Sequence, residues 1–420
     1  MTCSKYGIFG TPVESAQAYQ STWAGCGTRR DHPQRDRNRR FVSLWERFHR
    51  AERGQWAMTL IPDHEFYTDT RLLMSSIALF GAGRWGVALS VHLASAGRDV
   101  TLWTRRPDRT DAEVETPRAD TPLPELLRPS SVEVTTDLTR AATSADLWGI
   151  AVPVSSVRSC ADALRPFVHD DVTAVALSKG IETDTLLTTS QVLGRTLDAL
   201  PHDQIGVLCG PSHAEDVAEG RPTTVVASAH SEAAARYIQR RFMTERLRVY
   251  LNADLRGVEI GGAARFVLAI AAGIIDGVGY GDNAKAALVT RGLAEMRRLG
   301  RALGADARTF SGLSGVGDLV VTCMSAQSRT RTVGEQLARG RSTENILCDV
   351  DRAGAGVKTT RSLYALAQKH RVEMPITEAV YAVLFEGKQP SQMVKRLMTR
   401  SPKREDWAPT SMEHVPPDQN

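Results

Sequence analysis

The 420-residue chain holds no Cys-x-x-Cys pair, no cluster of histidines and no large excess of one charge. Its six cysteines, Cys3, Cys26, Cys160, Cys209, Cys323 and Cys348, are scattered along the length. That spacing argues against a zinc site or a disulfide framework and reads as reduced thiols in a cytosolic protein. A formal net charge of +4 is modest for this length and gives no case for nucleic acid as a partner. No uninterrupted apolar run reaches the roughly 20 residues that a membrane span needs. The longest apolar stretch opens with "GVEIGGAARFVLAIAAG" (257–273) and is broken by Glu259, Arg265 and Asp276. It is expected to be a buried core helix and not an anchor. No internal repeat is present. With 42% apolar and 24% charged residues, this is the composition of a globular chain long enough for two domains.

Residues 1–74 differ from the rest. They carry "RRDHPQRDRNRR" (29–40), a charged run with little apolar content. Acidic residues are mixed into it, and it has neither an apolar core nor a cleavage-type motif, which weighs against nucleic-acid binding and targeting. The expectation is a disordered or dispensable extension. Met74 stands just before the first clear strand and is a candidate start for the functional chain, a point that intact-mass measurement of the mature N-terminus decides. From residue 76, short apolar runs alternate with amphipathic segments. "IALF" (77–80), "DVTLW" (99–103), "LWGIAV" (147–152), "VTAVALS" (172–178), "IGVLCG" (205–210) and "TTVVAS" (223–228) read as buried strands. Such alternation predicts a largely parallel sheet with crossover helices over 75–252. Past about 253 the strand pattern stops, and 253–400 reads as a helical domain. The polar, proline-rich tail, 401–420, is expected to fray.

"GAGRWG" (81–86) is a Gly-x-Gly-x-x-Gly turn between the first strand and the helix "VALSVHLASAG". Gly81 allows the tight turn, Gly83 lets the backbone approach a pyrophosphate, and Gly86 permits close helix–strand packing. The helix N-terminus then faces the anion. A second strand follows, as a dinucleotide-binding unit requires. In NAD-preferring folds a carboxylate is expected at the end of that strand. Here the strand ends "LWTRRP", with Arg105 and Arg106 and no acid. Arginines there accommodate a 2′-phosphate, so NADP is the expected cofactor and NAD the second choice.

Four more stretches set polar residues among glycines: "LSKGIE" (177–182), "CGPSHAEDVA" (209–218), "YGDNAKAALVTRGLAEM" (280–296) and "GVGDLVVTCMSAQSRTR" (315–331). Lys179 ends an apolar strand and would project from the carboxyl edge of the sheet, where ligands bind in such folds. "GPS" offers backbone N–H groups and a hydroxyl on a tight turn. "SRTR" offers hydroxyls and a guanidinium, suited to a phosphate.

In this order and spacing, with "AVP" (151–153), the chain from about 76 to 400 resembles the NAD(P)-dependent glycerol-3-phosphate dehydrogenases of the soluble bacterial type. The resemblance implies an α/β architecture: an N-terminal Rossmann-type doubly wound sheet and an all-helical C-terminal domain, in a cytoplasmic protein that is usually a homodimer. It also implies hydride exchange between NAD(P)H and C2 of dihydroxyacetone phosphate, giving sn-glycerol 3-phosphate. By matching positions, it puts Gly81, Gly83, Arg84, Trp85, Gly86, Pro153, Lys179, Ala214 and Arg329 at the cofactor. Lys179, Gly210, Ser212, Asp318, Thr322, Ser328, Arg329 and Thr330 fall at the substrate. Asp318 matches the acid beside the family's catalytic lysine.

That lysine is missing. The family's helix reads Gly-Gly-Ala, one variable residue, then Lys-Asn, and the lysine is the proton donor and acceptor. This chain has Arg265 and Phe266 there. The asparagine after the phosphate-binding arginine is Thr330, the glutamate of a Val-Glu-Gly cofactor contact is Ala355, and the glycine-loop serine is Arg84. A desolvated lysine can be tuned toward neutrality, whereas a guanidinium, with a pKa above about 12, cannot be usefully deprotonated. It can still donate hydrogen bonds to an oxyanion. The expected outcome is slowed turnover on the usual substrate, or a shift to a related small phosphorylated or phosphonate hydroxy compound. The alternative is a nucleotide-binding homologue with a regulatory or partner role.

Overall fold

The first strand, Ile77–Phe80 (β1), has all four residues fully buried. A continuous apolar run of this kind arises when both faces of a parallel sheet are covered by helices. The computed structural model describes residues 76–105, 132–349 and 354–402. The expectations for residues 1–74, for Arg106 and for the end of the tail lie outside the described residues.

After β1 come α1 (Arg84–Ser95), β2 (Val100–Trp103), β3 (Val132–Thr135), α2 (Leu138–Thr143), β4 (Leu147–Ile150), α3 (Val157–Leu164) and β5 (Thr173–Ala176). Then follow α4 (Thr189–Thr196), β6 (Ile205–Cys209), α5 (Ala214–Ala218), β7 (Thr223–Ala229), α6 (Glu232–Phe242) and β8 (Leu247–Leu251). The eight strands lie in the order β3-β2-β1-β4-β5-β6-β7-β8. β1 pairs in parallel with both β2 (Ile77 opposite Val100) and β4 (Ile77 opposite Leu147). Among the described strands, only the β6–β7 pair is antiparallel. The period of two sorts the side chains: Leu79, Leu102 and Val175 pack with α1 and α6, while Phe80, Trp148 and Ala174 pack with α3 and α4.

β3 and β8 extend the sheet beyond the six strands read from the sequence. They occupy its two edges. In "VEVT" and "LRVYL", alternation places Glu133, Arg248 and Tyr250 toward solvent, which interrupts the apolar run used to recognise the inner strands.

The second half is helical throughout its described residues: α7 (Leu255–Val278), α8 (Gly281–Ala302), α9 (Asp318–Met324), α10 (Arg329–Ala338), α11 (Thr343–Asp349), α12 (Gly354–Lys369), α13 (Pro375–Phe385) and α14 (Pro390–Met398). Asp254 starts α7 by accepting the Gly257 N–H at 2.9 Å, and Gly279, in the left-handed conformation, ends it. By length and composition α7 could cross a membrane, but 89% of its most apolar window is buried inside the fold. Its side chains Ile260, Val267, Leu268, Ile270 and Ile274 form the axis of the helical core. Each such burial is worth about 1.5–3 kcal/mol. The small residues of the stretch have a steric purpose. A β-carbon on Gly273 would lie 1.8 Å from the Arg331 carbonyl oxygen, and one on Gly334 would lie 1.9 Å from that of Ile270. α7 and α10 therefore cross backbone against backbone.

Glu259, an interruption in the sequence pattern, joins the two halves. Its buried carboxylate accepts from the Thr188 hydroxyl (2.7 Å), the Thr189 hydroxyl (2.9 Å), the Ser190 N–H (2.8 Å) and the Ser190 hydroxyl (2.5 Å). An anion at the start of α4 is where a helix terminus favours one.

Candidate active site

The strand order reverses between β1 and β4, and in open α/β sheets ligands bind at such a crevice. Gly81, at φ +120°, makes the turn out of β1, and a β-carbon there would lie 2.9 Å from the Ala151 carbonyl at the end of β4. Gly83 is the N-cap of α1, which has no side-chain cap and no acidic residue in its first turn. The N–H groups of that turn suit an anion such as a pyrophosphate, and the residues present fit a dinucleotide. Arg84 forms an ion pair with Glu215 of α5, bridging the glycine turn and the 210–218 loop. Trp85 is half-buried against the sheet core. Pro153 is exposed and opens the short turn 154–156 beyond β4, and Arg105 is exposed just beyond β2.

Lys179 leaves the carboxyl end of β5. Its Nζ donates to the Gly210 carbonyl oxygen and to Asp318 Oδ2, both at 2.6 Å. Asp318 begins α9 and is 2% exposed. Arg265 of α7 reaches the same carboxylate, with Nε 3.1 Å from Oδ2, though the N–H is not aligned for a hydrogen bond. A guanidinium terminal nitrogen of Arg265 donates to Thr322 Oγ1 at 2.9 Å, and Thr322 donates to the Asp318 carbonyl at 2.6 Å. The Phe266 ring lies under the guanidinium, 4.1 Å from its carbon. Arg265 therefore points into the site and not to solvent. Gly262, one turn earlier, makes the approach possible: a β-carbon there would sit 2.7 Å from Cys209 Sγ and 3.6 Å from the Lys179 stem.

The 210–218 loop closes another side. Gly210 has φ +132°, Ser212 donates to its carbonyl at 3.1 Å, and Ala214 begins α5. Ser328 is buried and caps α10 by accepting the Arg331 N–H at 3.3 Å, and Arg329 is the first residue of that helix. Thr330 is turned against Gly356 of α12, where a β-carbon would meet its methyl at 2.8 Å. Ala355, beside it, is exposed.

Two cations therefore share one buried carboxylate, which leaves the site attractive to an anion. Burial pushes the thiol of Cys209 up to about 11 and that of Cys323 up to about 12, so neither offers a thiolate near neutral pH. His213 was not singled out from the sequence, where its loop was read for backbone groups and a hydroxyl. Burial holds it below the ordinary imidazole range, with the charges of Asp216, Arg265, Asp318 and Lys179 acting on it more weakly, and its buried Nε2 has no hydrogen-bond partner.

A glycine turn at the sheet's reversal point and a lysine–aspartate pair at the same sheet end, roofed by a helical half, define a two-domain, nicotinamide-dinucleotide-dependent dehydrogenase. Comparison with known proteins narrows the class. Residues 76–235 match the NAD-dependent glycerol-3-phosphate dehydrogenase N-terminus, and residues 254–395 match the C-terminus of the same family. The chain belongs to that family. It is 65% identical over 340 residues to glycerol-3-phosphate dehydrogenase [NAD(P)+] 1 of Salinibacter ruber, covering 81% of this chain and 100% of the relative. To the glycerol-3-phosphate dehydrogenase [NAD(P)+] of Chlorobium phaeobacteroides it is 46% identical over 332 residues, 78% of this chain and 98% of that one. The crystal structure of glycerol-3-phosphate dehydrogenase from Coxiella burnetii superposes with a TM-score of 0.73 at 35% identity, covering 78% of this chain and 100% of that chain.

Proposed function

We propose that this chain catalyses the NAD(P)H-dependent interconversion of dihydroxyacetone phosphate and sn-glycerol 3-phosphate, or of a closely related small phosphorylated or phosphonate hydroxy compound. The observation that carries the reading is the Lys179–Asp318–Arg265 cluster, beyond the carboxyl end of β5 and so at the same end of the parallel strands as the glycine turn. When bound, the nicotinamide supplies or takes the hydride at the carbonyl carbon. Gly81, Gly83, Trp85, Gly86, Pro153 and Ala214 would seat the cofactor, with Arg84 of the same turn beside it. Lys179, Gly210, Ser212, Asp318 and Thr322 would surround the carbonyl end of the substrate. Ser328, Arg329 and Thr330 would form its phosphate end. Arg265 donates hydrogen bonds where charge develops on the substrate oxygen. The test is NADPH oxidation with dihydroxyacetone phosphate, and the expected result is turnover by the unaltered protein.

Arg265 in the lysine position also favours a second reading, a nucleotide-binding homologue without turnover. NADPH binding with no oxidation on any ketone phosphate, in the unaltered protein and in Arg265→Lys, would establish it. We take NADP to be the preferred cofactor because Arg105 is exposed beyond β2 with no acid at the strand end, and Arg106 adjoins it in sequence. Equal binding of NADH and NADPH, or unchanged NADPH affinity in Arg105→Ala/Arg106→Ala, ends that preference. Work as a cytoplasmic homodimer is part of the proposal. The free thiols of Cys160, Cys209, Cys323 and Cys348 support a reducing compartment.

A further inference from the structure

We infer that Lys179 supplies and takes back the proton at the substrate oxygen, while Arg265 holds that oxygen and serves as standing counterion to Asp318. The inference rests on the dehydrogenase reading above. The neighbours of Lys179 are poorer proton sources. On α7, Arg265 has a guanidinium that does not give up a proton in a protein. On α9, Asp318 lies between the two cations as an acceptor, and the Thr322 hydroxyl hydrogen is directed at the Asp318 carbonyl, 2.6 Å away. On β6, Cys209 lies in the pocket wall behind Gly262 and is 5% exposed. At the start of α5, burial lowers the His213 ring below its ordinary range, which disfavours the imidazolium that would have to donate. Lys179 differs from all of these. An ammonium has three N–H bonds. Two go to Gly210 and Asp318, and the third remains for a ligand oxygen at the crevice mouth.

The position of Arg265 then has a purpose. A lysine that surrenders its proton beside a carboxylate 2% exposed would strand that charge. Arg265 Nε, 3.1 Å from the same oxygen, keeps Asp318 compensated throughout. In the reducing direction the carbonyl carbon receives the hydride with its electron pair, and the C–O π pair moves to oxygen. One Nζ–H bond breaks, its pair stays on nitrogen, and an O–H bond forms. The neutral amine regains a proton from solvent along its exposed edge. Oxidation runs the same step backward.

The experiment measures dihydroxyacetone phosphate reduction against pH for the unaltered protein, Lys179→Arg, Lys179→Ala, Arg265→Gln and His213→Phe. Competitive acetylation of Lys179 against pH is read by mass spectrometry in parallel. For the unaltered protein, kcat falls on the alkaline side, at the pH where Lys179 becomes reactive to acetylation. Lys179→Arg keeps the charge but loses about 10²–10⁴-fold in kcat with little change in KM, and its alkaline fall disappears. Methylamine restores activity to Lys179→Ala in a saturable way, which also shows that the variant is folded. Arg265→Gln and His213→Phe keep the alkaline fall. Normal kcat with an unchanged profile in Lys179→Arg, loss of the fall in His213→Phe, or acetylation that does not track kcat overturns the assignment. An inactive unaltered protein sinks the dehydrogenase reading itself and this inference with it. An active unaltered protein with a fully active Lys179→Arg sinks the assignment alone.

Discussion

At the glycine turn Gly81, Gly83 and Gly86 present backbone, and of the two large side chains between them Trp85 lies against the sheet core while Arg84 is engaged by Glu215. Across the crevice, on α7 and α9, the contacts are made by side-chain heads: Arg265, Asp318 and Thr322. A guanidinium stands in each region, Arg84 in one and Arg265 in the other, but the consequences differ. Where the chemistry belongs to N–H groups and to room for a ligand, a changed side chain can be turned aside. Where it belongs to a dissociable proton, exchanging an ammonium for a guanidinium changes what the site can do. The expected contrast is that the glycine turn tolerates a new side chain at position 84 but not a β-carbon at its glycines, while around Asp318 the identity of the charged head decides the outcome.

The strongest test of that contrast is Asp318→Ala. It leaves Lys179 and Arg265 without their shared carboxylate and should cost about 3–5 kcal/mol of stability together with turnover, read by denaturant titration and NADPH oxidation. Full activity would show that the helical half does not depend on its charged heads. Gly86→Ala comes next. The new β-carbon would lie 2.0 Å from the Gly81 carbonyl oxygen, so the turn must open. NADPH affinity should fall about tenfold or more, with about 1–3 kcal/mol lost from overpacking. Unchanged affinity would mean that backbone shape at this turn is not what binds the dinucleotide.

Two buried carboxylates sharpen the comparison within the helical half. Glu259→Gln keeps the shape but places an amide against donors of α4, at a cost of about 1–3 kcal/mol. Glu295 on α8 accepts the N–H groups of Ile376 and Thr377 at the start of α13, yet burial pushes its carboxyl up to about 7. A raised carboxyl contributes stability that is complete below its unfolded value, near 4.5, and is lost as pH rises through about 7. Thermal midpoints of the unaltered protein should therefore drop between pH 5 and 8 more than those of Glu295→Gln. Equal slopes would assign the pH dependence elsewhere. The smallest effect is expected from Arg84→Ser, a change of a few-fold in NADPH affinity measured by fluorescence titration. A large loss would show that the sheet half, too, relies on a side-chain head.

The inner strands were legible because both of their faces are covered, which makes the apolar runs unbroken. β3 and β8 escaped because an edge strand needs only one apolar face, and Glu133 and Arg248 occupy the other. The glycine turn, and Lys179 beyond the carboxyl end of an inner strand, were legible residue by residue, since turn sterics and motif spacing are properties of neighbours in the chain. Glu259 read as a break in an apolar stretch because its four donors lie on α4, far away in sequence. His213 carries no motif signal of its own for a similar reason: the site charges that act on its ring, Lys179, Arg265 and Asp318, are distant in the chain.

The sequence alone determined the alternation that builds a parallel sheet, the Gly81–Gly86 turn, a core helix too interrupted by charge to read as an anchor, and a guanidinium, Arg265, within that helix. Periodicity, turn sterics and the ionisation of a side chain are local facts. Tertiary structure alone decided that Arg265 and Lys179 would meet on a single carboxylate, and that a glycine on α7 would leave room for both. The close crossing of elements distant in the chain sets those distances, and charge pairing depends on distance through space, which no spacing along the chain specifies.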